Sequence, residues 1–481
     1  MMFLILSVQL LPLAAALLVL LVPRKKPNLA GLIALVAALT EFFLVLSYAN
    51  SGAYYSYPSL FGVNLSFSLD KLASIALMVV SAATAVSVLY SLKLSSEPGR
   101  SPSFYSLILL VLFGTAGVAL ASDLIQFYVA WEAMLIPAWI LVVYWNENPE
   151  KAKYVGLKFF IITHIGAVLM LASILWIYSI TGTTNMHALV TLLPAIPAKM
   201  IIIIAALFMM GFIVKLAIFP FHTWLPDAYT TSTMTVTLIL VGVMTNIGIY
   251  GFARFFPFFP PAASDFLSRK LMIMAVFTMF YGGIMALVEK NAKRIVAYSS
   301  MSQMGYVLFG FAAMMPHGFA GSVFNMFNQA ATKLALFISL GMVFEHAGTY
   351  NVNELGGWAK RLPFAAMCAT IAALSLVGAP PLAGFWPEFL TFSAGFMYGS
   401  TRLTLLALIA SVISAAYALR LIKMVFFGPL REEGETVTSR PVSYIALGVS
   451  VSMLILLGIY PSLGFNIVRQ AISSLGFVLG G

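Results

Sequence analysis

Three ionisable side chains lie deep in apolar stretches of the chain: Glu132 in FYVAWEAMLIPAW, Lys215 in FMMGFIVKLAIFPF and Lys333 in FNQAATKLALFISL. A charge at mid-bilayer costs roughly 2.5 to 3.5 kcal/mol on insertion scales, so a membrane chain that keeps several is expected to carry protons or ions with them. Glu132 stands roughly 13 Å inside its stretch counted from Asp123 at 1.5 Å per residue, too deep to snorkel to the surface. Burial disfavours the charged form of a carboxyl and a neighbouring cation favours it, so a carboxylate balanced between the two can be switched. The alternative for these residues is a structural ion pair, but a buried pair is usually no more stabilising than apolar packing.

Glu388 closes a second kind of signal, the stretch Gly378-Ala-Pro-Pro-Leu-Ala-Gly-Phe-Trp-Pro-Glu388. It is matched earlier by Lys215-Leu-Ala-Ile-Phe-Pro-Phe-His-Thr-Trp-Leu-Pro226. Each reads as an apolar helix broken by Pro or Gly and resumed after an aromatic residue. Taking Pro220 and Pro380 as the corresponding breaks, with Lys215 and Glu388 as their paired charges, separates them by about five helices, an odd number. Corresponding broken helices of opposite orientation are the mark of inverted repeats with a functional site at the break. His222 and Asp227 flank the first break, where an imidazole could pass protons or the pair could cap a half-helix. Glu41, His164 and Lys158 are isolated polar residues without a motif; Glu41 and His164 are read as structural.

Cofactor chemistry finds no footing in this chain. It has no P-loop, no Gly-rich dinucleotide fingerprint after a strand and no His or Cys cluster with metal spacing. The single cysteine, Cys368, excludes an intrachain disulfide and a thiolate-ligated iron–sulfur cluster built by this chain alone. The five histidines are scattered.

The elements that must position these residues are transmembrane helices. The chain has 481 residues, 61% of them hydrophobic and 9% charged, with a mean hydropathy of +0.99, which places it outside the soluble globular range. About 14 apolar runs are long enough to span roughly 30 Å of hydrocarbon, and lipid-facing backbone of that length must be helical to satisfy its own hydrogen bonds. The run from 364 to 399 contains Gly378-Ala-Pro-Pro381 and is expected to be a broken helix. The first run ends in Pro23-Arg-Lys-Lys, without a basic leader or a small-residue cleavage site, and is expected to be a retained helix.

A net charge of +10 would suit nucleic acid, but the positions of the basic residues give a better account. With the N-terminus outside, most of the 26 Lys and Arg fall in cytoplasmic loops, among them Arg24, Lys93, Arg100, Lys151, Lys293, Arg294, Lys360 and Arg431. The positive-inside rule therefore predicts that both termini face outward. No polar stretch is long enough for a soluble domain. The chain reads as one membrane domain: N-terminal helices over 1–103, a first repeat over 104–256, a second over 270–428, and a C-terminal helix and tail over 429–481.

Four blocks in order carry a family resemblance: Phe127-Tyr-Val-Ala-Trp-Glu-Ala-Met134, the stretch from Gly211 to Ala228, Lys293-Arg-Ile-Val-Ala-Tyr-Ser-Ser-Met-Ser-Gln-Met-Gly305 and Gly378-Ala-Pro-Pro-Leu-Ala-Gly-Phe385. Over about 105–428 the chain resembles the antiporter-like proton-translocating subunits of complex I (the L, M and N types). This family is shared with Mrp-type antiporters and membrane-bound hydrogenase-type complexes. The resemblance implies an all-α subunit of 14 helices with two inverted five-helix repeats, each holding a broken helix, and a central row of charges linked by water. It implies that Glu132 and Lys215 are a coupled pair, Lys333 the carrier of the second half and Glu388 the outlet. The sequence departs from the pattern at Asn246, where many relatives carry a lysine; an amide orients water but cannot hold a transferable proton as an ammonium does. Gln329 stands in place of a frequent histidine and Asn291 in place of an aspartate. No room remains after about 463 for the long lateral helix of the L type.

The function expected from this is a subunit translocating protons or sodium in a complex I-related membrane oxidoreductase of the cytoplasmic membrane. It would hold no redox centre of its own and would sit among other membrane subunits. Flavin, iron–sulfur or nickel–iron centres would belong to peripheral partners. The alternative is a subunit of an Mrp-type antiporter without a redox partner, and a third reading, motivated by Asn246, is a scaffold that has lost conduction.

Overall fold

The computed structural model describes residues 2–49, 53–57, 65–92, 101–429, 437 and 439–474. Lys93, Arg100 and Arg431 of the basic-loop argument lie outside the described residues. The helices are α1 (Met2–Leu20), α2 (Pro27–Tyr48), α3 (Lys71–Ser91), α4 (Pro102–Leu120), α5 (Leu124–Tyr144), α6 (Pro149–Thr181), α7 (Met186–Leu192), α8 (Ala198–Lys215), α9 (Trp224–Thr231), α10 (Met234–Ile239) and α11 (Thr245–Phe255). There follow α12 (Pro261–Val288), α13 (Ala292–Ala312), α14 (Pro316–Ala347), α15 (Trp358–Arg361), α16 (Pro363–Leu376), α17 (Phe385–Met397), α18 (Thr401–Ile422), α19 (Pro441–Ile459) and α20 (Ser462–Ser474). An antiparallel hairpin of β1 (Ala53–Tyr57) and β2 (Leu65–Leu69) precedes α3, with Ala53 opposite Leu69.

Among the described residues, 11 helices are long and apolar enough to cross a membrane, and Ile5–Leu20, Met186–Ala195 and Pro363–Leu376 are shorter apolar helices. The run over 364–399 is divided as expected, into α16 and α17. The sequence reading did not foresee the hairpin, α7, or the amphipathic α20.

Capping residues set the helix starts. Asp70 accepts from the Ala73 amide, Asp123 from Ile125 and Gln126, Asn148 from Lys151, and Asn291 from Arg294, each satisfying amides that the first turn leaves without partners. Asn291, noted as a departure at the family's aspartate, thus works as a helix cap. Helices α6 and α14 both end on a left-handed glycine, Gly182 and Gly348, the conformation that closes a helix without a Cβ clash.

Burial identifies the centre of the molecule. The most apolar 18-residue stretch of Met234–Phe255 is buried throughout and that of Pro316–Ala347 is 94% buried, against 39% for Pro27–Tyr48 and 44% for Leu124–Tyr144. Asn246 and Lys333 therefore sit, with α13 between its neighbours, on some of the most enclosed helices, while the flanking helices expose apolar side chains such as Val36, Phe43, Leu157 and Val412, as a lipid-facing wall does. A five-residue π-helical segment, Leu240–Met244, joins α10 to α11 one turn before Asn246; such segments are frequent at functional sites.

Candidate functional site

The two broken helices share a backbone design. In the first, α8 stops at Lys215, Ala217 adopts a positive φ of 53°, the Phe219–Pro220 bond is cis and α9 begins at Trp224. In the second, α16 stops at Leu376, Gly378 adopts a φ of 74°, the Pro380–Pro381 bond is cis and α17 begins at Phe385. The turns are hydrogen-bonded alike: the Ala217 and Ile218 amides donate to Val214 and Ile213, and those of Gly378 and Ala379 to Ser375 and Leu374. Gly378 supplies the positive φ without a Cβ cost, whereas Ala217 holds it against one. In each break one bond ties the halves together, Trp224 Nε1 to the Val214 carbonyl at 3.0 Å and the Gly384 amide to Ser375 Oγ at 3.1 Å.

This register corrects the sequence pairing. The counterpart of Pro220 is Pro381 rather than Pro380. The counterpart of Glu388 is Asp227, each following a proline in the first turn of the second half-helix; Lys215 corresponds to Leu376. Neither His222 nor Asp227 caps α9, which starts without a side-chain cap.

Around the first break the charges are paired. Asp227 is gripped from two sides, by Lys158 Nζ at 2.7 Å and by Arg294 at 3.0 Å, and Arg294 also binds Glu289 at 3.0 Å. Lys158, read from the sequence as a weak candidate, is thereby part of the site. His222 is buried and packs its ring on Phe219 and Tyr281 at 5.4 and 4.8 Å between centroids. Deeper in, Lys215 is 2% exposed, and its Nζ stands 5.3 Å from the centre of the Trp131 ring. Among the described residues no carboxylate lies within 4.0 Å of it, and Glu132 is the acid near enough to act on it electrostatically. Glu132 in turn stands 3.3 Å from His164 Nδ1 on α6. The histidine is 40% exposed at its side chain and the carboxylate 18%, so the pair opens on the outer wall of the chain. His164, read as structural, belongs beside Glu132.

Around the second break the partners are neutral. Lys333 is fully buried and donates to Ser299 Oγ on α13 at 2.6 Å. One turn away on the same two helices, Gln329 Nε2 donates to Gln303 Oε1 at 3.1 Å. Gln303 donates to the Leu376 carbonyl at 3.1 Å, at the end of α16, and reaches the Glu388 carboxyl. Glu388 is 8% exposed. Beside it, Asn328 Oδ1 accepts from Ser375 Oγ at 2.9 Å and Thr332 Oγ1 at 3.1 Å, and Tyr306 and Ser414 hydroxyls meet at 3.3 Å.

Asn246 stands between the two groups. Its Nδ2 donates to the Gly242 carbonyl at 2.9 Å, and its Oδ1 has no partner among the described residues. The helix carrying it approaches Lys215 at Gly248 and Leu334, the neighbour of Lys333, at Gly242. Lys215, Asn246, Lys333 and Glu388 thus lie on helices that contact one another in succession, which brings carboxyl, amide, hydroxyl and amine groups into the enclosed centre of the molecule.

Sequence reasoning missed Ser299, Gln303, Glu147 and Glu289. The first two share the spacing of one helical turn that Gln329 and Lys333 show on the facing helix, a pattern available once α13 and α14 are known to pack. Lys293, assigned to a cytoplasmic loop, is 0% exposed at its side chain and pairs with Glu147 at 2.8 Å while donating to the Ser232 carbonyl. It is a buried tie between α13 and the loop before α6, and the loop tally loses that charge. Among the described residues, no three His, Cys, Asp or Glu side chains are grouped to hold a metal ion.

A family model described as NADH:quinone oxidoreductase/Mrp antiporter, TM, matches residues 121–414. NADH-quinone oxidoreductase subunit M of Rhodobacter capsulatus is 32% identical over 75% of this chain and 72% of its own length. F(420)H(2) dehydrogenase subunit N of Methanosarcina mazei is 30% identical over 91% of each. A chain of the membrane-bound sulfane sulfur reductase, an archaeal respiratory membrane complex, superposes with a TM-score of 0.88 at 26% identity, over 98% of this chain and 97% of that one. The match over most of the chain, spanning both broken helices and the charges between them, means that the chain belongs to the family of NADH:quinone oxidoreductase and Mrp antiporter membrane subunits.

Proposed function

We propose that this chain is an antiporter-like, ion-translocating subunit of a complex I-related membrane oxidoreductase. It moves protons, or sodium ions, along the path from Glu132 and Lys215 through Asn246 and Lys333 to Glu388. The observation that carries this reading is Lys215: a fully enclosed amine at the end of a broken helix, with a carboxylate close enough to influence it but no fixed ion-pair partner. Moving Glu132 toward or away from it would switch its affinity for a proton. His222 and Asp227 position the first break, Asp227 by holding Lys158 and Arg294.

The energy for that movement would come from electron transfer in partner subunits, with flavin, iron–sulfur or nickel–iron centres held there and none in this chain. Both named relatives are oxidoreductase or dehydrogenase subunits, which supports a redox-driven assembly over an Mrp-type antiporter driven by an ion gradient alone. The chain would sit in the cytoplasmic membrane with both termini outward, its flanks against other membrane subunits.

Lys215→Met in the intact complex tests the mechanism. Electron transfer is expected to continue in an assembled complex while ion translocation is lost; full pumping by the variant would overturn the relay. Mass spectrometry of the complex purified through this subunit tests the assembly. Peripheral redox subunits are expected, and an exclusively membrane-embedded set of partners would make it a gradient-driven antiporter.

A further inference from the structure

A cavity of about 550 Å³ opens beside the half-helix that carries Glu388, between α17, the first turn of α14 and the amphipathic α20. Its apolar wall is built from Trp386, Phe389, Leu390 and Phe465. The lining also includes Arg469, His317 and Asn466, and among the described residues no carboxylate contributes to it.

The wall is held firmly. Trp386 Nε1 donates to the Gly458 carbonyl at 3.0 Å, and Phe465 stacks on Phe324 at 4.3 Å between centroids. The Ala383 amide, in the break itself, donates to Leu454 of α19 at 3.1 Å. The corner between α19 and α20 is thereby fastened to the second broken helix, and the cavity keeps its shape through these bonds rather than through its own contents.

Its depth and chemistry agree on one occupant. His317 follows Pro316 at the start of α14, and α20, which carries Asn466 and Arg469, begins just after α19 ends, so these polar side chains lie near helix termini, where headgroups sit. An amphipathic helix at that level lies in the interface plane. A guanidinium, an imidazole and an amide over an apolar trough present donors to a phosphate and a surface to an acyl chain.

We propose that this groove seats one anionic phospholipid. Its phosphate lies against Arg469, His317 and Asn466, and an acyl chain runs along Trp386, Phe389 and Leu390, on the opposite side of α17 from the interior into which Glu388 points. The lipid supports the outer face of the half-helix whose inner face holds the outlet carboxyl.

The test uses the whole complex, purified and exchanged into nanodiscs of phosphatidylcholine doped with phosphatidylglycerol, with bound lipid counted by native mass spectrometry. The wild type is expected to retain phosphatidylglycerol on this subunit. Arg469→Gln should weaken that retention roughly fivefold, the worth of one cation at a membrane surface, and Arg469→Glu should weaken it further. Phe389→Ala, which shortens the trough and leaves the cations, is expected to weaken retention of phosphatidylglycerol and leave soluble glycerol phosphate binding unchanged. Equal retention by the wild type and Arg469→Glu overturns the proposal, as does displacement of the lipid by a neighbouring subunit cross-linked to Arg469→Cys.

Discussion

The two broken helices solve the same backbone problem and surround it with opposite electrostatics. Asp227 and Glu388 occupy equivalent positions, yet Asp227 is locked between Lys158 and Arg294, while Glu388 has an amide neighbour and one oxygen without a partner among the described residues. The same contrast holds for the amines. Lys293 grips Glu147; Lys333, on the neighbouring helix, is bonded to a hydroxyl. Paired charges fasten helices together, and a buried charge left to neutral partners costs stability unless its protonation can change. On the proposed function, the second region is the one suited to proton exchange, whereas the periphery of the first is fixed by its ion pairs and leaves Lys215 without one among the described residues.

The contrast between the two regions bears most heavily on Lys333→Met. Ion translocation is expected to fall on the order of a hundredfold, the scale set by removing a positioned proton carrier. The melting temperature of the complex should stay level or rise, because methionine fills the space without a buried amine to satisfy. A marked fall in melting temperature would make Lys333 a structural anchor and erase the difference between the regions.

Next in size is the equivalent pair at the two breaks. Asp227→Asn leaves Lys158 and Arg294 facing each other without their shared carboxylate and should destabilise the protein by about 2 kcal/mol, the loss of one side of a partly buried ion network. Glu388→Gln should leave stability within about 1 kcal/mol and slow ion translocation by somewhat less than Lys333→Met does. Thermal denaturation and proteoliposome flux on the same preparations check both. Similar behaviour of the two variants in both assays would mean that position in the break, rather than charge environment, decides the role.

A smaller effect is expected at the junction. Asn246→Leu removes an amide whose Oδ1 is free to hold water and should slow translocation about tenfold, the lower end of what a lost hydrogen-bonding group costs in a proton path. Asn246→Lys should leave the flux near that of the native chain, since Lys215 and Lys333 already supply amines on either side. A flux untouched by Asn246→Leu would show that the two regions work without this connection, as two separate paths.

Much of this arrangement was legible in the sequence, and the reason is cost. Glu132, Lys215, Lys333 and Glu388 announced themselves because a charge in an apolar run is expensive, and the breaks did so through Pro and Gly. Ser299 and Gln303 gave no such signal: neutral side chains are tolerated in membrane helices, and their significance comes only from facing Lys333 and Gln329. The pairings of Lys158 and His164 were not legible because their partners, Asp227 and Glu132, are distant in sequence and brought near by the packing of α6. The pairing of the two breaks slipped by one residue because Pro380 and Pro381 are adjacent, and only the hydrogen bonds of the turn decide between them.

The finest test compares two carboxylates outside the spans. Burial raises the Glu147 carboxyl above its ordinary value, and the pull of Lys293 offsets this only in part. Burial acts on Asp70 in the same direction, but Arg254, reinforced by its hydrogen bonds and the Ala73 and Leu72 amides, overrides it and holds Asp70 below its ordinary value. The signs of the two linkages are therefore opposite. Asp70 contributes stability above its unfolded value that is lost as the pH falls through its folded one. The contribution of Glu147 is greatest below its unfolded value and falls as the pH rises toward its folded one. Relative to the wild type, Asp70→Asn should lose stability chiefly at neutral pH, with the gap closing under acid, while Glu147→Gln should compare best with the wild type at neutral pH and worst under acid. Melting temperatures of the purified complex across this range decide the matter, and parallel curves for the two variants would mean that guanidinium and ammonium partners are interchangeable at the edges of this membrane domain.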